Sequence, residues 1–136
     1  VFRDNYFNFY GPDAYVSGLF DFVTFIGENM KVLFICSQNK RRSLTAEKIL
    51  DGRNDCEVRS AGTETNARIK VTAGMLGWAD IIFCMEKKHL RRIREKYADI
   101  LRNKRVICLN IPDDFEYMDE ELQDILIGCA EEYIWR

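Results

Sequence analysis

From Lys31 onward the chain alternates between two kinds of hydrophobic pattern. Lys31 to Ile35, Ile81-Ile82-Phe83-Cys84-Met85 and Arg105 to Leu109 are short apolar runs of the kind that form strands buried on both faces, and Cys56 to Ser60 makes a further short one. Between them lie stretches with helical spacing. Ser43 to Leu50 turns Leu44, Ala46, Ile49 and Leu50 inward before Gly52 stops it, and Arg68 to Gly77 gives a weaker helix. Lys87 to Leu101 is clearly amphipathic, with Leu90, Ile93, Tyr97, Ile100 and Leu101 on one stripe. From Asp119 a last helix points Leu122, Ile125, Leu126 and Cys129 inward and carries acids in its first turn, where the helix dipole favours them.

Strands alternating with helices predict an α/β fold, a doubly wound four-stranded parallel sheet in the order 2-1-3-4 with helices on both faces. In that order the winding reverses between strands 1 and 3, and ligands bind outside the carboxyl ends at this switch point. Cys36, Met85-Glu86 and the acidic loop from Asn110 should therefore share one rim.

Residues 1–29 follow neither pattern. Phe2, Tyr6, Phe7, Phe9, Tyr10, Tyr15, Phe20, Phe22 and Phe25 crowd into them, broken by Gly11-Pro12 and Gly27-Glu28-Asn29, without a signal peptide's basic start and continuous apolar middle. This aromatic-rich extension is either an appendage packed onto the domain or upstream sequence foreign to the native protein. The second reading is preferred, with Met30 as a natural start and residues 30–136 as the working domain.

The richest chemistry lies where the first strand meets the first helix, at Cys36-Ser37-Gln38-Asn39-Lys40-Arg41-Arg42-Ser43. A strand, a tight loop and a helix start aim several backbone N–H groups and the positive end of the dipole at one spot, which suits a phosphate. Cys36 stands at the mouth of the loop, where the dipole and the Arg42 guanidinium favour thiolate over thiol. Arg42 can grip two phosphate oxygens in a planar fork that lysine cannot reproduce. Ser43 can donate its hydroxyl to the thiolate, and Asn39 suits a left-handed position. A lone cysteine after a buried strand is usually inert core; the whole set, each part with its own electrostatic task, argues for a reaction centre.

The 136 residues fit one domain. A formal charge of −2 and a pI near 5.5 give no pull towards nucleic acid or anionic membrane. Cys36, Cys56, Cys84, Cys108 and Cys129 form an odd set without CxxC or metal-like spacing, and His89 alone offers an imidazole, which argues for a reducing, cytoplasmic setting and against a zinc site. No apolar run is long enough for a transmembrane helix. Lys87, Lys88, Arg91, Arg92, Arg94 and Lys96 read as a solvated basic face, with His89 exposed among them.

The loop resembles the phosphate-binding loop of the low molecular weight protein tyrosine phosphatases, with a likeness running from Met30 to about Glu121. Met30-Lys-Val-Leu-Phe-Ile-Cys-Ser-Gln-Asn together with Ile111-Pro-Asp-Asp is similar to a short bacterial group of predicted tyrosine phosphatases in that family. The resemblance implies hydrolysis of phosphotyrosine in protein, or of a small aryl phosphate, through a phosphocysteine intermediate and without metal or organic cofactor. Cys36 would be the nucleophile and residues 37–43, from Ser37 through Gln38, Asn39, Lys40, Arg41 and Arg42 to Ser43, the phosphate cradle. Asp113 falls on the family's proton donor and Phe115 on the aromatic that flanks the substrate ring, while Asp114 stands where proline is usual. Gln38, Arg41 and Leu44 replace the usual glycine, a frequent cysteine and the usual proline, and the chain between Thr63 and Asp80 is short for the family, which trims a rim loop. The alternatives are an arsenate-reductase-like protein, which would need a cysteine relay where Arg91 stands, a phosphocarrier, which needs neither Arg42 nor Asp113, and a catalytically idle phosphate-binding module.

Overall fold

The computed structural model describes Tyr6, Phe7 and residues 29–135. Strands β1 (Tyr6–Phe7), β2 (Met30–Cys36), β3 (Cys56–Gly62), β4 (Ile81–Cys84) and β5 (Arg105–Cys108) alternate with helices α1 (Arg42–Leu50), α2 (Ala73–Trp78), α3 (Lys87–Leu101) and α4 (Glu120–Tyr133). The sheet runs β1-β5-β4-β2-β3. Its four long strands are parallel and stand in the predicted order. The addition is β1, which pairs antiparallel with β5 through Tyr6↔Ile107 and Phe7↔Val106. The rest of the expectation for residues 1–29 lies outside the described residues.

Period-two alternation along β2 divides the core. Val32, Phe34 and Cys36 face one layer with Ala46 and Leu50 of α1 and Leu122, Leu126 and Cys129 of α4. Leu33 and Ile35 face the other, with Leu76 of α2 and Leu90, Ile93 and Leu101 of α3. Phe34 and Phe83, opposite each other in the β2–β4 ladder, stack with centroids 4.9 Å apart, and Tyr133 closes the cluster 5.9 Å from Phe83. Cys56, Cys84, Cys108 and Cys129 are all buried, as their positions suggested. Among the described residues no helix is long and apolar enough to cross a membrane.

Two expectations need correction. Leu44 is only half-buried, because the inner face of α1 is given to Arg42, Ser43, Thr45, Ala46 and Leu50. The helix expected over 68–77 begins only at Ala73, where the Thr72 side chain accepts a hydrogen bond from the Met75 amide at 3.2 Å. Residues 68–71 instead run beside the end of β3, with the Gly62 amide donating to Ile69 O at 2.8 Å and the Val71 amide to Gly62 O at 2.9 Å.

β2 and β4 are neighbours although β3 intervenes in sequence, so the winding reverses between them. Cys36 ends β2 at this point, Glu86 follows β4, and Ile111 is drawn alongside by its amide, which donates to Met85 O at 2.8 Å.

Candidate active site

The segment after β3 holds the Cys36 loop by its carbonyls. Cys36 O accepts from the Thr63 amide at 3.0 Å, Ser37 O from the Glu64 amide at 3.0 Å, Gln38 O from the Arg68 amide at 2.9 Å and Asn39 O from Arg68 Nε at 3.1 Å. In a trans peptide a carbonyl and the following N–H point opposite ways, and the described residues contain no cis bond. Pulling these carbonyls back therefore turns the amides of Ser37, Gln38, Asn39 and Lys40 to the other side, where the Cys36 sulfur lies. The Asn39 amide donates to Sγ at 3.2 Å. Asn39 sits at φ +59°, a left-handed value that asparagine tolerates better than most residues. Gly62 is more than a turn residue: a Cβ there would run into the Ser37 carbonyl oxygen and come within 2.8 Å of the Ala67 Cβ.

The sulfur has a second donor. Asn39 Nδ2 donates to Ser43 Oγ at 2.7 Å, and of the two acceptors in reach of the Ser43 hydroxyl, Cys36 Sγ at 2.8 Å is nearer than Ala61 O at 3.5 Å. Asn39 and Ser43 are fully buried behind the loop, where they address the sulfur and not the cavity above it. Two hydrogen bonds and the start of α1 converge on that atom.

Arg42 is 1 % exposed. Its Nη1 donates to Glu86 Oε1 at 2.5 Å and to Ile111 O at 2.9 Å, which uses both hydrogens of that nitrogen. The opposite edge, Nε and Nη2, is the fork that fits two oxyanion oxygens. Asp113 Oδ1 lies 3.5 Å from Nε.

His89, expected on the exposed basic face, is buried beneath the loop. Its Nδ1 accepts from the Glu86 amide at 3.0 Å, so Nε2 carries the proton and donates to Ser37 Oγ at 2.8 Å. Burial, and then the positive charges of Arg42 and Lys88, push its pKa down to about 3 against a weaker opposing pull from Asp113. The imidazole is neutral and holds Ser37 from below. His89 is thus a site residue that the sequence reading missed, and Glu86, which it placed on the rim without a role, is the partner of Arg42. The signal was available, for His89 stands four residues before Ile93 on the buried stripe of α3.

A cavity of about 230 Å³ opens over the sulfur. Cys36, Ser37 and Gln38 line it with Lys40, Arg41 and Arg42, and three separate segments contribute Glu64, Lys88 and Asp113. Asp114 does not line it. Neither does Phe115, whose half-buried ring packs against the core cluster of α1 and α4, so no aromatic side chain among the described residues walls the cavity. Among the described residues no group of three or more His, Cys, Asp or Glu side chains is arranged to hold a metal ion.

No protein-family model matches the chain, and no curated protein matches its sequence. Solved structures do match its shape. A low molecular weight protein tyrosine phosphatase from Streptococcus pyogenes superposes with a TM-score of 0.62 at 16% identity, over 77% of this chain and 93% of that one. The chain has the low molecular weight protein tyrosine phosphatase fold. Other structures with this phosphatase fold include the tyrosine phosphatase Wzb from Escherichia coli K30 in complex with phosphate (TM-score 0.59, 22% identity, 76% of this chain and 97% of that one) and the YwlE arginine phosphatase from Geobacillus stearothermophilus (TM-score 0.56, 19% identity, 76% and 92%).

Proposed function

We propose that this protein is a phosphomonoesterase that works through a phosphocysteine intermediate, with phosphotyrosine in protein as its substrate class and the reducing cytoplasm as its setting. The observation that carries the reading is the sulfur of Cys36, held by the Asn39 amide at 3.2 Å and beside Ser43 Oγ at 2.8 Å, with the Nε–Nη2 edge of Arg42 and the Asp113 carboxyl on the same cavity. The thiolate attacks phosphorus while the bond to the leaving oxygen breaks, and the loop amides and Arg42 hold the three equatorial oxygens. Asp113 gives its proton to the departing oxygen. Its carboxylate then takes a proton from water as the water oxygen attacks phosphorus, the S–P bond breaks, and phosphate and the thiolate are released. No step calls on a metal or an organic cofactor. An incoming phosphate would accept the Nε–H of Arg42 and free Asp113 from that neighbour.

A second reading is favoured by the wall of the cavity. Among the described residues it carries Glu64 and no aromatic ring, which suits a cationic phosphoguanidine as well as a phenyl phosphate. The relative from Geobacillus stearothermophilus is an arginine phosphatase. Rates on para-nitrophenyl phosphate, a phosphotyrosine peptide and a phosphoarginine peptide, measured without added metal, separate the two readings. Turnover that disappears in Cys36→Ser is expected. Equal turnover in that variant, or none on any of the three in the wild type, would refute the proposal.

A further inference from the structure

Beside the catalytic cavity lies a second one of about 150 Å³. Val71, Ile93 and Tyr97 give it an apolar lining, and Lys70, Arg92 and Lys96 bring three cations to it, with no carboxylate among the described lining residues. On a chain whose net charge is −2 this is a local excess of one sign. Among the described residues, none of the three has an acid at ion-pair distance. Lys70 comes from the segment after β3 and the other two from α3, so the cations converge from separate elements on a concave surface, unlike an ordinary solvated helix face. At Tyr97 the helix leaves its own geometry, with φ −129° and ψ 30°.

Two relations tie this pocket to the reaction centre. Thr63 lines the second cavity and Glu64 the first, so the partition between them is the same stretch of backbone whose amides hold the Cys36 and Ser37 carbonyls. Along α3, Lys88 at the catalytic cavity is followed by Arg92 and Lys96, four and eight residues on, which puts the three on one face at steps of about 6 Å.

Given the phosphatase reading above, on which this inference rests, we propose that the second pocket is a subsite for another acidic group, carboxylate or phosphate, on the same peptide whose phosphate occupies the Cys36 cradle. The run from Lys88 to Arg92 and Lys96 covers about 6 to 12 Å, which an extended peptide spans with roughly two to four residues. The subsite therefore reads an acid two to four positions from the phosphorylated residue. Its part-exposed ion pairs contribute to binding in ground and transition state alike, so the preference appears in KM and not in kcat.

The test uses phosphopeptides that carry glutamate, phosphoserine or alanine three residues to either side of the phosphorylated residue. Two readouts are taken: kcat/KM with the wild-type chain and affinity by fluorescence polarisation with Cys36→Ser. In one of the two directions the acidic peptides should be favoured about fivefold, falling towards parity in strong salt. Arg92→Glu and Lys96→Glu should each abolish or invert the preference, whereas Arg91→Glu, the same charge change outside the pocket, should keep it. A larger effect for phosphoserine than for glutamate would assign the pocket to phosphate, and equal effects to acidic groups in general; both are forms of the proposal. Turnover with equal affinity for all peptides would overturn the subsite and leave the phosphatase reading intact. Preferential binding without turnover would do the reverse. A preference lost equally in Arg91→Glu would reduce the pocket to diffuse attraction by the helix, and would overturn it too.

Discussion

His89 should make the stability of this protein depend on pH in a way that one substitution removes. Its ordinary pKa of 6.5 falls to about 3 in the folded chain, because the ring is buried, Arg42 and Lys88 lie close, and Nδ1 is committed to the Glu86 amide. Only the unfolded chain takes up the proton between those values, so the stabilisation is fully present above 6.5 and is lost as pH falls. Each pH unit below 6.5 costs about 1.4 kcal/mol, or about 2 kcal/mol at about pH 5, until the loss levels off near 3. Urea unfolding at about pH 7 and about pH 5 measures it, with His89→Gln as the comparison because glutamine does not titrate. Carboxylates contribute their own slope to both chains, so the difference between the two slopes isolates the imidazole. The variant should be less stable at neutral pH, having disturbed the bonds to Ser37 and Glu86, yet it should lose about 2 kcal/mol less on acidification. Parallel losses in the two chains would mean that His89 can be protonated in place, and the tautomer assigned to it would be wrong.

Two further predictions concern the walls of the site. Asp113→Asn should lower the rate on a poor leaving group by roughly the 10²–10⁴-fold typical of general acid catalysis and by less on an acidic phenol, while Asp114→Asn, outside the cavity, should change it little; harm from the second change alone would reverse the assignment. Gly62→Ala should cost about 1–3 kcal/mol in denaturant unfolding and lower kcat, because its methyl group meets the Ser37 carbonyl; wild-type stability and activity together would show that the loop is not braced there.

Much of this site could be read from the sequence because its central parts are consecutive. Cys36 to Ser43 carry the proposed nucleophile, cradle and arginine in one loop, and the apolar run before it placed that loop at the end of a strand at the sheet's switch point. Asp113 was reached through resemblance, and the structure puts it on the same cavity. Phe115 was assigned to the rim by the same route, but its ring packs against the core. Glu86 was placed on the rim, but its bond to Arg42 and the bond of His89 to Ser37 escaped because the partners are 44 and 52 residues apart in the chain. A histidine between lysines and a leucine looks exposed until the stripe is followed to Ile93. The helix expected from Arg68 failed for a tertiary reason. Arg68 spends its amide and its Nε on loop carbonyls, and residues 69 and 71 bond with Gly62, so local propensity is overruled until Thr72 provides a cap.

The carbonyls tied back behind the Cys36 loop also bear on how such a protein can change its preferences. Because the neighbouring segment already holds the amides in place, little chain must be ordered when an oxyanion arrives, and phosphate, arsenate or vanadate meets the same ready-made donors. On the phosphatase reading, discrimination among phosphorylated molecules then falls to the rim, where Lys40, Arg41, Glu64 and Lys88 line one opening. Those side chains can be exchanged without loosening the cradle. A scaffold of this kind can drift from one phosphorylated partner to another by surface substitutions alone, while the reaction beneath stays as it was.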